Sequence, residues 1–118
     1  MEEKFIKKLS KEQYRVMVKR DTEIPFAGKY LHHDAYGMYT CAACGIELFD
    51  SKVKFDSGTG WPSFTEAKNV ELIKDFTYGM IRTEVKCKNC GGHLGHLFDD
   101  GPQGKNRFCI NSCSLDFK

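Results

Sequence analysis

Cys109 is the residue whose surroundings call for chemistry. The chain carries six cysteines. Four of them form two Cys-x-x-Cys pairs, Cys41/Cys44 and Cys87/Cys90, the spacing that a metal ion selects. Cys109 stands outside both pairs, within Arg107-Phe108-Cys109-Ile110-Asn111-Ser112. On a strand, residues two apart share a face. Arg107, Cys109 and Asn111 then point one way, while Phe108 and Ile110 anchor in the core. A free thiol titrates near pH ~8.5, and a neighbouring guanidinium favours its thiolate form. Cys109 is therefore a candidate nucleophile with Arg107 supporting its charge. The alternative is a small buried hydrophobe, against which the polar flanking residues weigh.

The paired cysteines read as a metal site. Cys41-Ala42-Ala43-Cys44-Gly45 and Cys87-Lys88-Asn89-Cys90-Gly91 are near copies. Each supplies two thiolates to neighbouring corners of a tetrahedron and ends in a glycine that can take the positive φ of a tight knuckle. Four thiolates suit zinc, with iron as the main competitor, and a site filled by four protein ligands is structural. Because residues 45–86 separate the pairs, the ion staples segments distant in sequence and cuts loop entropy. No helix-forming run follows either pair, which argues against a thioredoxin-like redox motif.

Two further motifs surround this chemistry. His93-Leu94-Gly95-His96 follows the second knuckle directly. Both histidines are candidates to donate protons and to orient a polar oxygen beside the thiol. Gly58-Thr59-Gly60-Trp61-Pro62-Ser63-Phe64 holds the single Trp in a constrained turn. The alternative for Trp61 is a place in the core. An indole presented beside the thiol suits a small apolar group such as a methyl.

The elements that must position these residues are mainly β. Ser10-Lys11-Glu12-Gln13 is a capping-box pattern, predicting a helix over about Lys11 to Lys19 that Asp21-Thr22 and Pro25 stop. Gly79–Lys86 alternates, with Ile81, Thr83 and Val85 on one face and Arg82, Glu84 and Lys86 on the other, as a half-exposed antiparallel strand does. Shorter strands are expected at Met38–Thr40, Lys52–Phe55, Val70–Ile73, His96–Phe98 and Arg107–Asn111, separated by turn signals. One short N-terminal helical segment followed by many short strands predicts two small sheets.

The 118 residues predict a single domain over 1–118. Hydrophobic content of 41% and aromatic content of 13% mark it as globular. A net charge of +2, without a clustered basic stripe, argues against nucleic acid as a partner. The Met1-Glu2-Glu3-Lys4 start is not backed by an apolar stretch, and no run is long enough to span a membrane. Cysteines in metal-type spacing then make the cytoplasm the expected compartment.

Taken together, Gly60-Trp61-Pro62-Ser63-Phe64, His93-Leu94-Gly95-His96-Leu97-Phe98, Asp100-Gly101-Pro102 and Arg107-Phe108-Cys109-Ile110-Asn111-Ser112 resemble the B-type methionine-R-sulfoxide reductases. Both Cys-x-x-Cys pairs match the zinc-containing form of that family, and the resemblance runs from about Leu9 to Phe117. It implies two antiparallel sheets arranged as a β-tent. It implies an oxidoreductase that reduces the R epimer of methionine sulfoxide in oxidised proteins, a repair activity under oxidative stress. It places the catalytic thiol at Cys109 and the residues around the sulfoxide at Trp61, His93, His96, Arg107 and Asn111. It further implies zinc at Cys41, Cys44, Cys87 and Cys90, and a thiol reductant such as thioredoxin as partner. A monomer is the plain expectation.

The sequence departs from the family at the resolving cysteine that many members carry before the Gly-Trp-Pro-Ser-Phe motif, where Thr59 stands here. Cys113 occupies a position that the family usually fills with Ala, and is a possible resolving thiol. On one straight strand Cys109 and Cys113 would lie about 13 Å apart, whereas a disulfide spans at most about 7 Å between Cα atoms. A turn after Asn111-Ser112 would be needed, and an external thiol is the favoured reductant of the sulfenic acid. Two other classes compete. A zinc-ribbon binding module explains the four paired cysteines but leaves Cys109, His93, His96 and Trp61 idle. A thiol enzyme acting on glutathione adducts explains Cys109 but not the Trp61 turn.

Overall fold

The computed structural model describes residues 1–118. Two helices, α1 (Glu3–Ile6) and α2 (Lys11–Met17), precede nine strands. The strands are β1 (Met38–Cys41), β2 (Glu47–Asp50), β3 (Lys54–Phe55), β4 (Ser63–Phe64), β5 (Val70–Asp75), β6 (Arg82–Cys87), β7 (His93–Phe98), β8 (Arg107–Ile110) and β9 (Leu115–Phe117). They form one sheet in the order β2-β1-β9 and another in the order β3-β4-β8-β7-β6-β5. Every pairing is antiparallel. The mainly-β, two-sheet class expected from the sequence is the one observed. No helix is long and apolar enough to cross a membrane.

The capping box forms as read. Ser10 Oγ accepts Gln13 N–H at 3.1 Å, and Gln13 Oε1 accepts Ser10 N–H at 2.9 Å. Helix α2 ends at Met17 rather than Lys19. Arg20 adopts a left-handed φ of 63°, which closes the helix and turns the chain toward the larger sheet. Val16 and Met17 bury the inner face of α2.

Between the sheets lies a core of Tyr39, Leu48, Phe49, Phe64, Val85, Leu94, Phe108, Ile110 and Leu115. Phe49 stacks on Phe64 with centroids 4.4 Å apart, and Tyr39 meets the edge of the same ring at 5.3 Å. Phe108 and Ile110 face this core, as the alternation around Cys109 predicts.

Several strand limits differ from the sequence reading. Ser51–Val53 is a 3₁₀ turn because Asp50 Oδ1 accepts Lys52 N–H at 2.9 Å, which leaves only Lys54–Phe55 as strand. β7 starts at His93, and β5 extends to Asp75. No sequence signal marks the strands β2, β4 and β9, and α1 joins α2 as the short helices at the start that the family resemblance implies. β8 ends at Ile110, and a 3₁₀ turn over Ser112–Ser114 follows, so the chain does bend between Cys109 and Cys113. The largest correction concerns β6. Its supposedly outward Glu84 is 2% exposed, while the supposedly inward Ile81 lies outside the strand and is 74% exposed. Glu84 is covered by His93 from β7 and by Arg20 from the segment after α2.

Gly95 sets the closest approach in the larger sheet. A Cβ there would lie 2.0 Å from the carbonyl oxygen of Cys109 and 2.9 Å from Ile110 Cα, both rigid backbone. Only glycine permits β7 and β8 to meet at this point. Gly95→Ala is expected to lower stability by about 1–3 kcal/mol, read as a lower urea midpoint at unchanged slope; a wild-type midpoint would contradict this packing.

Candidate active site

Strand register brings the reactive groups together. On β8, Cys109 pairs with His96 of β7 on one side and with Ser63 of β4 on the other. Directly paired residues project from the same face of a sheet. A cleft of about 90 Å³ opens over this face. Cys109, His96, Trp61 and Asn111 line it, together with Thr22, Arg82 and Phe98.

Trp61 reaches the cleft through an unusual turn. Gly60 has a φ of 95°, and a Cβ there would come within 2.8 Å of Pro25 Cβ. The Gly60 carbonyl accepts Phe26 N–H at 2.8 Å, so the 24–26 segment lies against the turn. The indole Nε1 donates to the Glu23 carbonyl at 3.1 Å. The indole is thus fixed at the cleft wall and not placed in the core.

Asn111 is engaged in building the site. Its Nδ2 donates to the Leu94 carbonyl at 3.0 Å, and its Oδ1 accepts Glu23 N–H at 3.0 Å. The carboxylate of Glu23 accepts Ser112 N–H at 2.8 Å and Cys113 N–H at 2.9 Å. Glu23 thereby clasps the turn after β8 with its main chain and side chain alike. Burial pushes its carboxyl up, against the lowering by those two amides.

His93 and Arg107 do not line the cleft. His93 is 1% exposed and sits behind His96, ring edge against ring at 5.4 Å between centroids. Arg107 grips exposed Asp100 with Nε at 2.8 Å and Nη2 at 3.2 Å, and its guanidinium lies 4.4 Å over the Phe98 ring. For Cys109, burial is the dominant influence and raises the thiol above its ordinary value. Arg107 and the Thr59 side chain act in the opposite direction and are outweighed. Arg107 does favour the thiolate, as its charge predicts, and desolvation outweighs it.

Behind the histidines lies a polar layer that sequence reasoning missed. His96 Nε2 lies 2.7 Å from Asp75 Oδ2, and His93 Nδ1 lies 2.7 Å from Glu84 Oε2. Arg20 Nη2 spans the two carboxylates, 3.0 Å from Glu84 Oε1 and 3.5 Å from Asp75 Oδ1. The hydrogen bond from His96 is the main cause that holds the Asp75 carboxyl well below the usual range. Burial lowers His93 despite its Glu84 partner. No motif marks Asp75, Glu84, Arg20 or Arg82, because only the register of β5, β6 and β7 brings them to the imidazoles.

The four paired cysteines form one cluster with the spacing of metal ligands. Their sulfurs all lie within 4.8 Å of one another, with Cys41 to Cys90 and Cys44 to Cys87 each at 3.6 Å. Both knuckles are built alike: Gly45 N–H donates to the Cys41 carbonyl at 2.8 Å and Gly91 N–H to the Cys87 carbonyl at 2.9 Å. Gly45 and Gly91 take φ values of 83° and 80°, as the sequence requires. In this crowd Cys41 is pushed up by Cys87 and Cys90, so the sulfurs do not all ionise on their own. A bound cation reverses that preference.

Comparison with known proteins agrees with this layout. A family model described as the SelR domain matches residues 9–118. The peptide methionine sulfoxide reductase MsrB of Thiobacillus denitrificans is 55% identical, over 92% of this chain and 86% of its own length. That of Methanosarcina barkeri is 53% identical, over 99% of this chain and 85% of its own. The mitochondrial methionine-R-sulfoxide reductase B3 of Mus musculus is 51% identical, over 94% of this chain and 46% of its own. Similarity of this extent runs through the cleft and the cysteine cluster together, and the chain belongs to the SelR-domain family of B-type methionine-R-sulfoxide reductases.

Proposed function

We propose that this protein is a peptide-methionine (R)-S-oxide reductase with Cys109 as its nucleophile. The observation that carries this reading is the convergence of Cys109, His96 and Trp61 on one small cleft. The Cys109 thiolate attacks the sulfoxide sulfur. His96 supplies a proton to the oxygen, which is a poor leaving group without one. Trp61 receives the methyl group on its apolar face. The net exchange moves one oxygen atom: thiol and sulfoxide become sulfenic acid and thioether, and Cys109 gives up two electrons.

The same three contacts account for a preference between epimers. A sulfoxide sulfur is a stereocentre, and Trp61, His96 and the line of attack from Cys109 fix three directions about it. One hand then places both methyl and oxygen correctly, and the other exchanges them.

Of the two histidines, His96 is the acid. His93 donates Nδ1–H to Glu84, leaving a buried Nε2 without a hydrogen-bond partner. Burial disfavours the imidazolium that His93 would need for donation. Arg107 tempers the cost of the thiolate, and Asn111 holds the end of β8 in place.

An external thiol recycles the sulfenic acid. Cys113 opens into a separate cavity with Glu12 and Glu23, and its thiol is pushed up to about 12, first by burial and then by Glu23. A thiol so placed is a poor nucleophile toward Cys109. One external thiol forms a mixed disulfide and releases water, and a second frees Cys109. Thioredoxin is a fitting donor, and oxidised proteins in the cytoplasm are the substrates. The chain works as a monomer and one domain over 1–118, without nucleic acid or membrane. The cluster holds zinc. A tetrahedron with Zn–S near 2.3 Å has edges of about 3.8 Å, close to the two 3.6 Å separations. Cys41, Cys44, Cys87 and Cys90 hold the ion, which supplies charge compensation and a cross-link.

Purified protein with dithiothreitol is expected to consume the R epimer of a methionine sulfoxide peptide and spare the S epimer. Cys109→Ser should abolish turnover by at least about 10³-fold while keeping fold and metal; residual turnover near wild type excludes Cys109 as nucleophile. Mass spectrometry after one turnover without reductant should show a sulfenic acid at Cys109 and no Cys109–Cys113 disulfide. The thiolate is the reactive form, so a raised thiol is less reactive at neutral pH. Iodoacetamide labelling of Cys109 should therefore climb with pH, with a midpoint above the ~8.5 of a free cysteine; a midpoint below that value contradicts the desolvated site. Stripping the metal with a strong chelator, or Cys41→Ser, should collapse the far-ultraviolet circular dichroism, whereas a native spectrum without metal would remove the structural role of the cluster.

A further inference from the structure

Asp75 ends β5, is 4% exposed, and lies directly behind the cleft. Both of its oxygens are committed. Oδ1 accepts Thr77 N–H at 3.0 Å and Thr77 Oγ1–H at 2.8 Å. Oδ2 lies 2.7 Å from His96 Nε2, with Arg82 Nη2 at 3.6 Å. An ionised carboxylate only accepts hydrogen bonds. The nitrogen facing Asp75 must therefore carry the proton.

We propose that Asp75 is a positioning residue for His96: it takes the Nε2–H bond, fixes the ring, and leaves Nδ1 as the nitrogen that serves the sulfoxide oxygen. This rests on the reductase reading given above. A free imidazole exchanges between two tautomers and rotates about χ2, and either freedom would take the proton away from the reacting oxygen. The turn over Thr77 holds the carboxylate, and the carboxylate holds the ring. When Nδ1 is protonated for donation, Asp75 compensates the imidazolium through the bond it already makes.

The neighbouring pair sharpens the assignment. His93 and Glu84 form a second imidazole–carboxylate couple, but there Nδ1 is the tied nitrogen and the ring does not line the cleft. Only His96 joins a committed nitrogen to a free one at the reaction site. Arg20 keeps the arrangement neutral enough to bury, since its guanidinium reaches both Asp75 and Glu84. The charged and titratable groups around His96 are thus Asp75, Glu84, His93, Arg20, Arg82 and Cys109.

The test uses the full chain with its metal, a peptide bearing methionine-R-sulfoxide, and dithiothreitol. Asp75→Asn is expected to lower kcat by about 10²-fold with KM within about threefold, and to displace the limb of the pH–kcat profile that reports the acid. Iodoacetamide labelling of Cys109 should stay at the wild-type rate, which separates misplacement of the acid from damage to the nucleophile. The side-chain nitrogen shifts of His96 give a readout independent of activity. The wild type should show a protonated, hydrogen-bonded Nε2, and Asp75→Asn should lose that signature. Wild-type kcat and an unchanged pH profile in Asp75→Asn would overturn the proposal. So would a wild-type His96 protonated at Nδ1 and bare at Nε2, even if Asp75→Asn did not fold. A wild type that reduces no sulfoxide would sink the reductase reading alone, and the nitrogen shifts would still decide whether Asp75 sets the tautomer.

Discussion

The contact between β7 and β8 at Gly95 is the constraint on which the site depends. The backbone of Cys109 occupies the space a side chain would take at Gly95, so the strands meet there without an intervening Cβ. That approach sets His96 opposite Cys109 and directs the Leu94 carbonyl to the end of β8, where it accepts both Asn111 N–H at 2.8 Å and Asn111 Nδ2–H at 3.0 Å. Upstream, β7 begins three residues after Cys90, so the cysteine cluster anchors the strand that carries both histidines. Geometry passes from the cluster to a strand, from the strand to its neighbour, and only then to the reacting sulfur.

Electrostatics divides the interior into regions with opposite tasks. Behind His93 and His96, two buried carboxylates face the guanidinium of Arg20, Asp75 also meets that of Arg82, and each carboxylate holds one imidazole. In front, the thiol of Cys109 is desolvated, and burial outweighs the nearby Arg107. Cys113 meets a harsher version of the same environment, since Glu23 adds negative charge to burial. Two thiols four residues apart thus acquire different reactivity from what surrounds them. The bend that the sequence argument needed between them exists, but it turns Cys113 toward the carboxylates of Glu12 and Glu23.

How much of this was legible in the sequence follows from the range of the interactions. Local signals read correctly: the Ser10–Gln13 capping box, the glycine-ended knuckles, and the alternation that sends Phe108 and Ile110 inward. The convergence of Cys109, His96 and Trp61 was also readable, because each sits in a motif whose residue types imply chemistry. Asp75 and Glu84 carried no such mark. On β6 the period of two predicts an outward Glu84, and it does leave the hydrophobic core, but His93 and Arg20 arrive from elsewhere in the chain to cover it. Short strands such as β4 and β9 hold only two or three residues, too few for a period to appear, and exist because a neighbour pairs with them. Asn111 lines the cleft, and its hydrogen bonds go to Leu94 and Glu23, partners that no motif announces.

The Glu23 clasp has a consequence for how the protein comes into being. It joins residues separated by 90 positions, the carboxylate of Glu23 and the amide of Cys113. Contacts of such long range form late, because the entropy of closing the loop comes before any reward. During synthesis the ribosome must release the chain through Cys113 before this strap can tie down the turn after β8. A nascent chain therefore holds its histidines and knuckles well before it holds a finished catalytic pocket, and competence waits on the emergence of Asn111, Ser112 and Cys113.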